Sequence, residues 1–124
     1  MMRALRQHHI SFKNAFRGLK WALTTQPNFR VHLTLAGFAV LLGIYLHITS
    51  VEMAIIVFTV MLGLAGEMIN TALEAMTDLI TKEWREEARI AKDVSAGMML
   101  MIAMGAVIVA CTIYLPYLAP RFGI

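Results

Sequence analysis

The sequence predicts an all-α membrane protein, with three transmembrane helices preceded by an N-terminal amphipathic surface helix. Three observations carry that expectation. Of the 124 residues, 59% are apolar and 15% charged, and the mean hydropathy is +0.68; soluble domains sit nearer about 45–50% apolar and about 25% charged. A chain this short has too much surface for its volume to hide so much apolar area, so the excess must face lipid or partner subunits. Next, three apolar stretches approach or exceed the roughly 20 residues that cross a bilayer core. Finally, the few charges fall where one membrane orientation satisfies them all.

The first element covers residues 1–27. Phe12, Phe16, Leu19 and Leu23 recur at helical spacing, while Lys13, Arg17 and Lys20 occupy other faces, the pattern of a helix lying in a membrane interface. Basic residues beside apolar ones suit an anionic leaflet, which accounts for the net charge of +3 and the pI of 9.4 without nucleic acid. No recognition-helix signal or aromatic and arginine array raises a nucleic-acid reading. Gln26-Pro27-Asn28 breaks the helix before the first span.

The first span, 30–49, carries no charge from Val31 to Ser50. It starts too late, runs too long and lacks the small-residue cleavage pattern of a signal peptide, so it reads as a permanent anchor. The second span, 51–80, has an uncharged core from Met53 to Gly66 and continues with the same periodicity into the cytosol. A cytoplasmic loop, 81–93, precedes the third span, 94–117, in a stretch without charge from Val94 to Pro120. The helix is expected to stop near Pro116. Together these elements make a single domain, 1–124.

Charge orients the crossings. The first thirty residues hold Arg3, Arg6, Lys13, Arg17, Lys20 and Arg30 and no acid; the turn after the first span holds only Glu52; Lys82, Arg85, Arg89 and Lys92 follow the second. By the excess of Lys and Arg on cytoplasmic flanks, the N-terminus lies inside. The lone Cys111 permits no intrachain disulfide and reads as a buried small residue of the third span. Met98, Met99, Met101 and Met104 read as packing residues of the same helix. His32 and His47 read as interfacial, and His8-His9 lack the spacing of a metal pair.

The chemistry-bearing stretch runs from Glu67 to Asp78. On a helix turning about 100° per residue, Glu67, Asn70, Glu74 and Asp78 share an arc of about 80°. A carboxylate at the bilayer centre costs roughly 2.5–3.5 kcal/mol, so such residues face a bundle interior or a membrane boundary. Glu67 and Glu74 stand about 10 Å apart along the axis, too far to chelate one ion alone and suited to separate jobs. One carboxylate could hold Mg²⁺, which commonly takes one or two protein carboxylates plus phosphate oxygens; the other could act on a lipid hydroxyl. Lys92-Asp93 at the foot of the third span adds a cation for phosphate and a further acid. The set suggests phosphoryl transfer, although no GxxxxGK[ST] or GxGxxG is present. Against this stands a non-enzymatic small membrane assembly, a channel or accessory subunit, whose acidic stripe binds cations or fixes register. For the loop charges Glu83, Glu86, Glu87, Arg85 and Arg89, a solvated, ion-paired helix end is the plainer reading.

Glu67-Met-Ile-Asn-Thr-Ala-Leu-Glu-Ala-Met-Thr-Asp78, followed by Lys92-Asp93-Val-Ser-Ala-Gly97, resembles the signature of the small bacterial membrane lipid kinases, prokaryotic diacylglycerol kinase and undecaprenol kinase. Phe12-Lys-Asn-Ala-Phe-Arg-Gly-Leu19 and Asn28-Phe-Arg-Val-His32 extend the resemblance over nearly the whole chain, the latter leaning toward the undecaprenol kinase branch. The resemblance implies a homotrimer in the bacterial plasma membrane with active sites at the cytoplasmic interface, ATP as co-substrate, Mg²⁺ as cofactor and a membrane lipid alcohol as acceptor. By the same resemblance Glu67 is the catalytic base and Glu74 the metal ligand. Asn70 and Asp78 support the site, and Lys92, Asp93, Glu74, Glu83 and Arg85 contact nucleotide. Two positions depart from the family pattern. Gln26 stands where a second metal-binding Glu is common, and Arg85 where a His is common.

Overall fold

The computed structural model describes residues 2–121 and 123, with side chains from Ser11 onward. The side chains of Arg3, Arg6, His8 and His9 lie outside the described residues. Four long helices follow one another: α1 (Met2–Thr25), α2 (Pro27–Leu46), α3 (Ser50–Ile80) and α4 (Glu86–Leu118), with a 3₁₀ turn over Ala119–Arg121. No strand occurs among the described residues. α2, α3 and α4 are each long and apolar enough to cross a membrane.

The breaks between helices have local causes. Gln26 alone, with φ −99° and ψ 110°, separates α1 from α2, because Pro27 forces its predecessor out of the helical region and then serves as the first residue of α2. The first span therefore starts at Pro27, earlier than the charge-free run suggests. At the other end of α2, His47 takes the left-handed conformation (φ 55°). Its N–H donates to the Ile44 carbonyl and the Ile48 N–H to the Gly43 carbonyl, at 3.1 and 3.2 Å, which closes the helix in a Schellman motif. Thr49 then caps α3. The Glu52 N–H donates to Thr49 Oγ1 at 3.3 Å and the Thr49 N–H to Glu52 Oε2 at 2.8 Å, a reciprocal capping box. Two tight caps back to back make α2 and α3 an antiparallel hairpin.

The connection from α3 to α4 is shorter than expected, spanning 81–85. Residues 86–93 are helical because Glu86 and Glu87 sit in the first turn, where the helix dipole favours acids. Arg89 adds pairs to Glu86 and Asp93 one turn to either side. α4 also runs through Pro116, in its last turn, where losing one backbone donor costs less than it would mid-helix.

Packing is uneven along the bundle. α4 packs most closely on α3 and α2 packs chiefly on α3, with the buried apolar cluster at the hairpin end. There Leu46, Ile56, Ile113 and Tyr114 form the buried cluster. Polar ties reinforce it: the Tyr114 hydroxyl donates to the Ala39 carbonyl at 2.8 Å, the Tyr117 hydroxyl donates to Glu52 Oε2 at 2.7 Å, and the Arg121 guanidinium lies 5.2 Å from the Tyr45 ring centre. Gly66 lets α4 approach α3; a Cβ there would meet Ile102 Cδ1 at 2.6 Å and Met99 Sδ at 3.1 Å.

Most large apolar side chains face outward, among them Phe38, Phe58, Leu100 and Val107, as lipid or partner contact requires. The Phe12 and Phe16 stripe of α1 is likewise 69% and 70% exposed. Cys111 is exposed, contrary to the buried position expected of it. The inward face of α4 at that level belongs to Ile113, Tyr114 and Tyr117, and Cys111 lies off that arc. Of the four methionines taken as packing residues, Met98 and Met99 are partly buried while Met101 and Met104 face outward.

Replacing Gly66 by Val should destabilise the protein by about 1–3 kcal/mol through overpacking, with a smaller loss for Gly66→Ala because the ends of Ile102 and Met99 can shift. Thermal unfolding midpoints in detergent check that order.

Candidate active site

The acidic stripe of α3 is divided by depth. Glu67 and Asn70 are buried, at 4% and 6% exposure, while Glu74 and Asp78 are exposed. α4 meets the stripe at Asn70, through Ser95, and at Asp78, through Lys92, while His32 of α2 stands beside Glu67. Ser95 of α4, 3% exposed, donates from Oγ to Asn70 Oδ1 at 2.6 Å, and Asn70 Nδ2 donates to Glu74 Oε1 at 3.1 Å. This relay fixes the Asn70 amide and holds the Glu74 carboxylate at the boundary between the packed helices and solvent. Glu67 receives no hydrogen bond among the described residues. The nearest basic side chain is that of His32 of α2, with His32 Nε2 3.9 Å from Glu67 Oε2.

Lys92 and Asp93 part company. Lys92, Ser95, Met99 and Ile102 recur at helical spacing on the face of α4 turned to α3, and Lys92 Nζ reaches Asp78 Oδ1 at 2.5 Å. Asp93 is rotated about 100° away and accepts from Arg89 at 2.6 Å. The Lys92–Asp78 pair ties the two helices just beyond Glu74, and both members are partly exposed, 41% and 60%. A solvent-screened pair of this kind is worth at most about 1 kcal/mol, so Lys92 can change partners at little cost.

Glu83 and Arg85 pair with each other at 3.0 Å on the short connection. Arg85 is also the N-cap residue of α4 and lines a cavity of about 470 Å³ with Thr77, Thr81 and Glu87. The loop charges thus form an ion-paired helix end beside that cavity. Gln26 is half-buried at the N-cap of α2, without a side-chain capping bond.

Among the described residues no three His, Cys, Asp or Glu side chains converge to hold a metal. A cation bound by protein ligands alone does not fit this arrangement. A Mg²⁺ carried by nucleotide phosphates does, since it asks for only one or two carboxylates and Glu74 is exposed and held by Asn70.

Two contributors escaped the sequence reading. Ser95 was legible in principle, because it stands three residues from Lys92 and so shares its face. His32 was not, since no periodicity in α2 reveals that Glu67 of another helix lies beside it.

Three membrane-length helices with polar and acidic side chains gathered at one end of the bundle define the class: a small all-helical membrane protein. The model of the family described as prokaryotic diacylglycerol kinase matches residues 13–114, and the chain belongs to that family of bacterial membrane proteins. It is 40% identical over 109 residues to a diacylglycerol kinase of Synechocystis sp., covering 86% of this chain and 62% of that protein. The chain therefore spans under two thirds of the length of that relative. It is 32% identical to the undecaprenol kinase of Bacillus subtilis, covering 87% of this chain and 88% of the relative. With the diacylglycerol kinase of Escherichia coli strain K12 it shares 29% identity, covering 78% and 80%.

Ser95→Ala should cost about 1–3 kcal/mol, because the buried Asn70 carbonyl loses its donor. Lys92→Met should cost less than about 1 kcal/mol. Chemical unfolding of the two variants in mild detergent gives the comparison.

Proposed function

We propose that the protein transfers the γ-phosphoryl group of ATP to the hydroxyl of a membrane lipid alcohol, undecaprenol in the first instance and diacylglycerol as the alternative acceptor. The observation that carries this reading is the depth-graded stripe, which sets a buried carboxylate, Glu67, one heptad from an exposed one, Glu74. An alcohol dissolved in the membrane and a nucleotide dissolved in water meet at such a step. The family and the names of its relatives support a lipid acceptor; the Asn28-Phe-Arg-Val-His32 segment favours the prenol.

Glu67 acts as general base. As the lipid oxygen forms its bond to the γ-phosphorus, the hydroxyl proton passes to the Glu67 carboxylate and the bond from the γ-phosphorus to the β–γ bridging oxygen breaks, releasing ADP. Lys92, exchanging Asp78 for phosphate, holds the nucleotide with Asp93, Glu83 and Arg85 around it. Asn70 and Asp78 keep Glu74 and Lys92 in place. Glu74 and Gln26 are the residues that would hold Mg²⁺, whose contribution is to neutralise phosphate charge. Gln26 offers a carbonyl where a carboxylate would add a negative charge. Confining both substrates to one interface replaces a large catalytic domain with positioning.

The site is shared between subunits of a homotrimer in this reading, with the N-terminus and the stripe at the cytoplasmic face of the plasma membrane. The outward-facing apolar sides of α2 to α4 and the basic N-terminal segment support that arrangement.

Purified protein supplied with labelled ATP, Mg²⁺ and a panel of lipid alcohols should yield labelled lipid, with undecaprenol turned over faster than diacylglycerol. Absence of label in every lipid returns the protein to a non-enzymatic membrane assembly. Glu67→Gln should lower turnover by about 10²–10⁴-fold with the oligomer intact on size-exclusion chromatography, and an active variant overturns the base assignment. Gln26→Glu should lower the Mg²⁺ concentration needed for half-maximal rate, read from a Mg²⁺ titration at fixed ATP.

A further inference from the structure

We propose that His32 positions the acceptor hydroxyl against Glu67, and that the hydrocarbon chain of the alcohol lies in the groove between α2, α3 and α4 that begins at His32. The inference rests on the reading of Glu67 as the base.

The separation of His32 Nε2 from Glu67 Oε2, 3.9 Å, is too long for a direct hydrogen bond. Two bonds of about 2.8 Å to one tetrahedral oxygen span about 4.6 Å, so a shift of under about 1 Å seats a hydroxyl between the two side chains. The hydroxyl hydrogen is then donated to Glu67 Oε2, and the hydroxyl oxygen accepts from the His32 Nε2–H. On transfer the proton moves to Glu67 while His32 keeps its own. His32 is thus a positioning residue that points a lone pair of the oxygen at the phosphorus.

His32 also lines the mouth of a groove of about 320 Å³ whose walls include Leu35, Ala36, Ala39, Val60 and Ala106. Small side chains leave the space, and Gly63 borders it with no atom within 4 Å of where a Cβ would stand. Thr59 is the other polar side chain in the lining, and its hydroxyl already donates to the Ile55 carbonyl at 2.8 Å. The carbonyls of a glycerol ester would find no free donor in these walls, whereas a polyprenol has no polar atom beyond its hydroxyl. Continuity with the His32–Glu67 pair makes the chain of the acceptor the occupant of the groove and gives the site its preference for a prenol.

Steady-state kinetics with farnesol or undecaprenol as acceptor test the assignment. His32→Leu should raise the KM for the alcohol or lower kcat by about 10-fold or more, the effect of losing one hydrogen bond to the reacting group, with the KM for ATP unchanged. His32→Gln, which keeps an N–H, should recover most of the loss. Gly63→Val should raise the KM for the prenol and leave the ATP KM unchanged, with the oligomer intact. Unchanged alcohol kinetics in His32→Leu, or an equal change toward ATP, overturns the role of His32. Dissociation of the oligomer by Gly63→Val assigns the groove to a second copy of the chain and overturns the chain seat. If Glu67→Gln is inactive while His32→Leu is wild-type, this inference alone fails. An active Glu67→Gln removes the reading beneath it.

Discussion

A bilayer core has no water to offer a polar group, and the placement of every polar side chain in the three spans answers to that constraint. Backbone groups are satisfied within long helices. Isolated hydroxyls turn back on their own helix, as Thr34, Thr59 and Thr112 do by donating to the carbonyl four residues earlier. What remains is gathered at the two ends of the bundle. At the hairpin end Thr49, Glu52 and Tyr117 close on one another; at the other, Ser95, Asn70 and Glu74 form a relay that leads from the packed interior to the surface.

The two ends differ in what they leave unfinished. Around Glu52 three donors converge on one carboxylate, and the buried apolar cluster lies alongside. That end is a rigid clamp. Glu67 is more deeply buried, yet the basic side chain beside it is a histidine standing beyond hydrogen-bond distance. No fully buried side-chain oxygen or nitrogen among the described residues lacks a partner, so the unbonded oxygens of Glu67 keep some access to solvent or to a bound group. The core is sparse: among the described residues seven apolar side chains are buried, none of them a large side chain fully enclosed, as suits a bundle whose outer face meets an apolar medium.

Departures from the linear pattern follow from what neighbouring helices cover. The stripe from Glu67 to Asp78 is continuous by angle, but two of its members are buried among the packed helices and two are exposed, although α4 runs on beside them and pairs Lys92 with Asp78. Lys92 and Asp93 are adjacent in the chain, yet consecutive residues on a helix face different ways, so they answer to different partners. Helix α4 begins eight residues before its uncharged run because Glu86, Arg89 and Asp93 stabilise the first turns through their own pairs. Residues charged enough to resemble a loop can be a solvated helix end.

Length, apolar content and the spacing of the polar residues were enough to predict three spans, a surface helix and one acidic face, because helical period and bilayer thickness are local, additive constraints on the chain. The family was legible for the same reason, since its motif occupies two short continuous segments. Which carboxylate is buried, that Ser95 completes the relay, that His32 stands beside Glu67 and that Cys111 faces outward were decided only when α2, α3 and α4 packed. Burial and partner choice depend on the rotation and approach of helices about one another, set here by a glycine contact at Gly66 and two caps around Thr49, and no periodicity within a single helix encodes the face of another.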